Sequence, residues 1–478
     1  MLQSTLVGSL AVLSSVVTAL PTWDSQAAQD AQACGQPPAV NAKSAAMMSE
    51  PPMLPEEQSE MNDGGEAQAQ AQPYGGEQPA VMPQEPATPE GAMQAEAMGE
   101  GQAEAAAGAK AVYYITNSAQ GNAVVALKIN YDGTLSDGST TMTGGNGAQI
   151  IDGKTGQPAA TDALASQGAL AVAGQMMVVV NAGSNTLTMF AIDAADPTVL
   201  SMVGEPVDTM GEFPVSVGAS AALSTACVGN TGAVAGVACF TMSADTGLTA
   251  TDGALRPFDL GQSTPPVGPE NNVAHVLFND DSSALLATVK GDPSKNNTGF
   301  LAAFPVAADG AVATHAVRSS PAGTAVLFGA ANVPGTRHVV ATDASFGVAT
   351  LALTPDGTAS LLNNASIPGQ KATCWATLSR TTNTAFVTDV AVNSLHEFDP
   401  LTGELVAAIP DVGNGNPGML DLATAGGFVY ALAPGNSSAP GAVAVFDVGR
   451  GRGKAVAVQN FVPRVGVPNT AMSMQVSQ

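Results

Sequence analysis

From residue 111 onward the chain repeats one arrangement: four to six apolar β-formers, a short turn of Asn, Gly, Ser or Asp, then a second apolar run. Copies lie at 111–129, 176–192, 223–242, 284–306, 338–353, 384–399 and 427–448. Apolar runs of this length, separated by turn residues, are those of β-strands. No 3.6-residue period intervenes, so long amphipathic helices are not expected. Seven hairpins at intervals of about 45–60 residues predict a repeat architecture of four-stranded blades around an axis. Turns such as Tyr131-Asp132-Gly133-Thr134 and Pro355-Asp356-Gly357-Thr358 announce an outer strand in two of them. The chain starts in the second strand of a blade, so 465–476 is left to supply that blade's inner strand and close the ring without a free edge. A β-sandwich is the competing architecture, but seven similar units fit it poorly.

The pattern fails before residue 110. Residues 1–20 are uncharged and apolar, with Val17-Thr18-Ala19 placed as a small-residue cleavage site, which reads as a secretory signal peptide over 1–19. Residues 20–109 are built of Ala, Gln, Glu, Pro, Met and Gly and cannot bury enough apolar surface to offset their ordering entropy, so they read as a disordered acidic spacer. The expected fold is therefore all-β, a seven-bladed β-propeller over 110–478 preceded by a signal peptide and a spacer. No later stretch is long and apolar enough to span a bilayer, and the mature chain is expected to carry no transmembrane segment and to be an extracellular monomer.

Composition sharpens this. The 478 residues hold 40 Asp+Glu against 15 Lys+Arg, a net charge of −25, yet only 12% are charged. No basic stripe is available to neutralise phosphates, which excludes nucleic acid and a polybasic membrane contact. About half of the net negative charge belongs to the spacer, so the propeller has no strong field of its own. Cys227 and Cys239 flank the turn 230–236, and a hairpin centred on Ala233 places them opposite each other as a cross-strand disulfide. Sequons at Asn296, Asn364 and Asn436 fall in loops or strand ends, where export makes glycosylation plausible. Other motifs carry less. Gly413-Asn-Gly-Asn-Pro-Gly418 holds a Pro and precedes a strand, so it reads as a turn rather than a dinucleotide site. Residues 147–155 miss the phosphate-loop spacing by one. The four His show no metal-ligand spacing, and no metal or cofactor is expected. Asn181, Asp343 and Asp389 offer oxygens to a cation at the channel mouth, against the simpler role of shaping turns. Arg450, Arg452 and Lys454 read as an exposed loop.

The segments Asp162-Ala-Leu-Ala-Ser-Gln-Gly168, Asn181-Ala-Gly-Ser-Asn-Thr186, Leu255-Arg-Pro-Phe-Asp-Leu-Gly261 and Thr373-Cys-Trp-Ala376, with the turn 130–135, resemble the lactonase-like seven-bladed propellers. That family includes phosphogluconolactonases and carboxymuconate cyclases, and the resemblance is to its secreted fungal members. It implies a ligand site at one channel mouth, formed here by the lead-in loops 143–165, 254–272 and 410–418. It also implies a His, an Arg and a Glu there: Arg256 to hold a carboxylate, and His275 or Glu270 to move the proton. The alternative is that His275 is a buried strand residue and the other two are solvated loop charges. Where family enzymes show a His-rich lead-in, blade 2 has Ser166-Gln167-Gly168 instead. Cys374, beside Trp375, matches the inner-strand motif and is expected as a buried free thiol; Cys34 has no evident partner. Two functions follow. One is an extracellular enzyme that cyclises a carboxylated muconate or hydrolyses a lactone. The other is a non-catalytic cell-wall glycoprotein that uses the propeller to bind a surface ligand.

Overall fold

A computed structural model describes residues 111–477 apart from 412 and 413. The signal peptide, the spacer and Cys34 lie outside the described residues. Seven antiparallel sheets form the blades. Blade 1 is assembled from both ends of the folded chain: Met472–Val476 is its inner strand, followed outward by Ala111–Ile115, Ala123–Ile129 and Leu135–Met142. The inner strands of blades 2 to 7 are Leu170–Ala173, Pro214–Ser220, Val273–Phe278, Leu327–Asn332, Thr373–Ser379 and Leu422–Ala425. Each touches the inner strand of the next blade and the last returns to the first, so the ring is closed. All seven hairpins found from the apolar pattern are the second and third strands of these blades. Among the described residues the one helical element is a single 3₁₀ turn, Pro293–Lys295.

The reason for the two pattern types is visible in burial. Second strands such as Ala111–Ile115, Thr384–Asp389 and Phe428–Ala433 are buried at every position, because neighbouring blades cover both their faces. Outer strands such as Ala359–Ser366 alternate between buried or half-buried and exposed positions, since one face meets water. Blades are stitched by a repeated hydroxyl near the end of the second strand. Thr288, Thr342 and Thr388 donate to the carbonyls of Phe328, Cys374 and Leu420, each at the start of the next blade.

Asn181, Asp343 and Asp389 prove to be joints of the fold. Asp343 Oδ2 accepts from the amides of Ala325 and Val326 at 2.7 and 3.1 Å. Asp389 Oδ2 accepts from Lys371 and Ala372 at 2.7 and 2.8 Å. In both blades the carboxylate fixes the segment leading into the inner strand. Asn181 bonds Asn122, Thr143, Thr186 and Thr188, tying blade 2 to blade 1. The loop of Arg450, Arg452 and Lys454 is exposed but anchored: Arg452 pairs with Asp399 and Glu404 of blade 6 at 2.6 and 2.5 Å.

Cys227 and Cys239 face each other in the register of blade 3 and form a disulfide, with Cα atoms 4.1 Å apart. The expectation for Cys374 is overturned. It is fully buried, but it is disulfide-bonded and no described cysteine is free; its partner lies outside the described residues. A Cys-Trp motif on an inner strand has no turn around it to reveal a distant partner, whereas the 227–239 pair is local.

Candidate functional site

The centre of the ring is occupied by the lead-in to blade 2. Ser166 Oγ donates to Val215 O of blade 3, and Gln167 N to Ala274 O of blade 4. The Gln167 side chain donates to Ala376 O at 2.7 Å and accepts from Ala376 N at 3.1 Å, completing a strand-like pair with blade 6. Trp375 Nε1 donates to Ser166 O, and Gly168 N donates to Asp421 Oδ2 of blade 7. Gln167 also lies against blade 5, where a Cβ on Gly329 would fall 2.0 Å from its Oε1, so only glycine fits there. Three consecutive residues that meet the inner strands of blades 3 to 7 must lie in the central channel. The triplet Ser166-Gln167-Gly168 is a plug.

Charged groups gather beside it. Lys290 directly follows the second strand of blade 4 and is 1% exposed. Its Nζ donates to Ala165 O and stands 4.5 Å from the centre of the Phe328 ring. Burial pulls its ammonium down to about 8, against the opposing charges of Asp162 and Glu270. Asp162, at the start of the plug segment, is fully buried, with the backbone amides of Ser166 and Ala165 favouring its charged form. Burial raises its carboxyl to about 7, with Lys290 opposing the rise. Asp421 is likewise raised by burial to about 7. Glu270 completes the group: burial raises its carboxyl too, and Lys290 opposes the rise. Burial thus displaces Lys290, Asp162, Asp421 and Glu270 alike toward their neutral forms.

The expected trio divides. Glu270 belongs to this cluster. His275 sits on the inner strand of blade 4 under the plug, with Nδ1 accepting from Ala330 N at 3.1 Å and Nε2 2.9 Å from where a Cβ on Gly168 would lie. Burial pushes its imidazole down to about 3, so it is neutral in ordinary conditions. Arg256 lies elsewhere, in the short strand Arg256–Pro257 at the outer part of blade 3. It is 3% exposed and its guanidinium is engaged by Ala313 O at 2.7 Å, Val312 O at 2.9 Å and the Asp252 carboxylate at 2.7 Å. It clips blade 3 to blade 4. Lys290 was missed from sequence, although a signal existed: the run Ala284-Leu-Leu-Ala-Thr-Val-Lys290 ends on a cation where blades 5 and 6 end on Thr-Asp. Asp162 was quoted only as part of a motif. Among the described residues no group of three or more His, Cys, Asp or Glu is placed to hold a metal ion. No helix among them is long and apolar enough to cross a membrane.

No family model matches the chain, and no curated protein matches it in sequence. Solved structures do. The periplasmic gluconolactonase of Pseudomonas aeruginosa superposes with a TM-score of 0.53 at 16% identity, covering 77% of this chain and 99% of that one. A Bacteroides fragilis protein assigned as a 6-phosphogluconolactonase gives 0.51 at 14% identity, covering 77% and 98%. A hypothetical selenium-binding protein of Sulfolobus tokodaii gives 0.51 at 8% identity, covering 77% and 94%. At such identities the likeness is one of fold, and the fold serves more than one chemistry. The described chain has the seven-bladed propeller fold of the lactonase-like proteins.

Proposed function

We propose that this is a secreted lactonase-like propeller that works as a non-catalytic extracellular binding glycoprotein. The observation that carries this reading is the plug: Ser166, Gln167 and Gly168 fill the channel with satisfied hydrogen bonds at the place where the resemblance implies a substrate. Muconate cyclisation also needs a free cation for the substrate carboxylates, and the Arg256 guanidinium is already saturated by two carbonyls and Asp252. Asn296, Asn364 and Asn436 are all exposed, as glycan acceptors must be. The test is a turnover screen of the secreted chain against aldonolactones, muconolactones and 3-carboxymuconate. The expected result is no turnover above the uncatalysed rate. Turnover that Glu270→Gln or Asp162→Asn abolishes would overturn it.

One observation favours a second reading, lactone hydrolysis. Asp162, Lys290 and Glu270 form a titratable group beside the plug. In that reading Glu270 takes the proton of the water as its oxygen bonds to the lactone carbonyl carbon and returns it to the ring oxygen as the ring C–O bond breaks, while Lys290 holds the carboxylate that forms. Activity rising with pH through a carboxyl raised above the usual range, and lost both in Glu270→Gln and in Lys290→Met, is its signature.

A further inference from the structure

At the other end of blades 4 and 5 lies a cavity of about 200 Å³. Its walls are the turn 279–283 of blade 4, the turn leading to His338 of blade 5, and the ends of both third strands. Glu270 and Lys290 flank one end of the first two strands of blade 4, whereas Asn279 and Ser283 flank the opposite end. The cavity is therefore on the face away from the plug.

Two polar atoms of its lining residues are buried without any partner, Asn332 Oδ1 and His338 Nδ1. Asn332 is held in place, since its Nδ2 donates to Phe278 O at 2.9 Å, which leaves the carbonyl side unanswered. A fold carries few such atoms, and each calls for an explanation. Asn332 Oδ1 needs a donor; an imidazole Nδ1 takes a donor or an acceptor according to its tautomer. The charges at the rim are locally balanced. Asp280 lies 3.7 Å from Arg380, and Arg337 stands close enough to Asp281 to help hold its carboxyl below the usual range. A neutral ligand fits this balance better than an anion. The rest of the wall is mixed, with Pro305, Val306 and Leu353 presenting carbon beside the polar Ser283, Thr336 and Thr354. Drug-sized ligands occupy roughly 300–1,000 Å³, so this space suits something smaller.

We propose that this cavity binds a single neutral sugar ring, free or as the terminal residue of a glycan. Hydroxyls both donate and accept, so they answer Asn332 Oδ1 and His338 Nδ1 together, while the C–H face of the ring covers the carbon of Pro305, Val306 and Leu353. The site is independent of what happens at the channel.

The test is binding of methyl α-mannopyranoside, methyl β-glucopyranoside and N-acetylglucosamine to the full secreted chain. Saturation-transfer NMR and calorimetry are the measurements, and short oligosaccharides ending in the same rings form a parallel arm. At least one pyranoside is expected to bind, with at least tenfold weakening in both Ala284→Leu, which fills the space, and His338→Phe, which removes the polar atom. Oligosaccharides binding as tightly as the free ring, or more tightly, assign the site to glycan ends; binding of the free ring alone assigns it to free sugars. Each variant is checked by its thermal midpoint, and if Ala284→Leu does not fold, His338→Phe decides. No pyranoside binding, binding unchanged in the folded variants, or capture of citrate or phosphate in place of the sugars would overturn the proposal.

Discussion

Blades 5 and 6 close their second strands on Asp343 and Asp389; blade 4, at the same register, has Val289 followed by Lys290. In blades 5 and 6 the carboxylate reaches back to two amides of the segment that begins the inner strand, so a buried charge meets fixed dipoles, although burial still raises the Asp343 carboxyl against them. In blade 4 that position carries no charge, and the cation one residue on points at the plug, meeting a carbonyl, an aromatic face and the field of Asp162. A repeat supplies its own control. Positions that recur with the same partners are joints, and the blade that departs is where a buried charge has been put to another use.

The comparison can be broken first at the joints. Asp389→Ala removes the acceptor of three amides, Lys371, Ala372 and Ala391, and leaves them without a partner. The expected cost is about 4 kcal/mol of unfolding free energy, read as a lowered urea midpoint. A cost under about 1 kcal/mol would mean that water reaches this strand end, and the distinction between joint and site would collapse.

Lys290→Met comes next. It strands the Asp162 carboxylate without its opposing charge, and about 3 kcal/mol is expected. Asp162→Asn in the same chain should restore most of this, because Asn tolerates the positive φ of 51° there and carries no charge. A double variant no more stable than Lys290→Met alone would show that the two groups are not coupled. Both would then be separate packing residues.

The pH profile sharpens the same contrast. Asp162 and Asp421 have carboxyls raised in the folded state, so the folded chain holds more protons than the unfolded one between about pH 4 and 7. Stability therefore falls as pH rises through that window, by up to about 1.4 kcal/mol per pH unit per group. Lys290 is lowered to about 8, so the unfolded chain holds the extra proton between about pH 8 and 10.5 and stability rises again with pH. Asp421→Asn should flatten the acid limb and Lys290→Met the alkaline one, as measured by thermal midpoints across pH.

Much of this architecture was legible because it rests on local pattern. Each hairpin and the Cys227–Cys239 bridge depend on runs and turns that lie within a few residues of one another, and the closing strand Met472–Val476, which pairs with distant Ala111–Ile115, follows from counting strands per blade. What escaped was set by contacts across the ring. Arg256 stands in a loop beside Glu270 and His275 in sequence, yet its guanidinium is drawn to carbonyls 56 and 57 residues away. Gln167 pairs with Ala376, 209 residues on, and no periodicity marks such a partner. Lys290 and Asp162 come together through the folding of the lead-in across the channel, which the apolar pattern does not encode. Local pattern thus marks the strands and lead-in segments, whereas contacts across the ring decide which charges gather beside the plug.

The smallest expected effect tests where the buried group ends. Glu270 raises the Lys290 ammonium through its charge, and Lys290 in return holds the Glu270 carboxyl down against the effect of burial. Glu270→Gln removes a partly buried charge that reaches Lys290 through space, so less than about 1 kcal/mol of stability is at stake. Its informative consequence is a further fall of the Lys290 pKa, by less than about one unit, because each unit corresponds to 1.36 kcal/mol of interaction. Heteronuclear NMR of the Lys290 side chain reads that shift directly. If the lysine titrates unchanged, Glu270 belongs to the solvated rim, Asp162 and Lys290 are a closed pair with no route for a proton, and the hydrolytic reading loses its base.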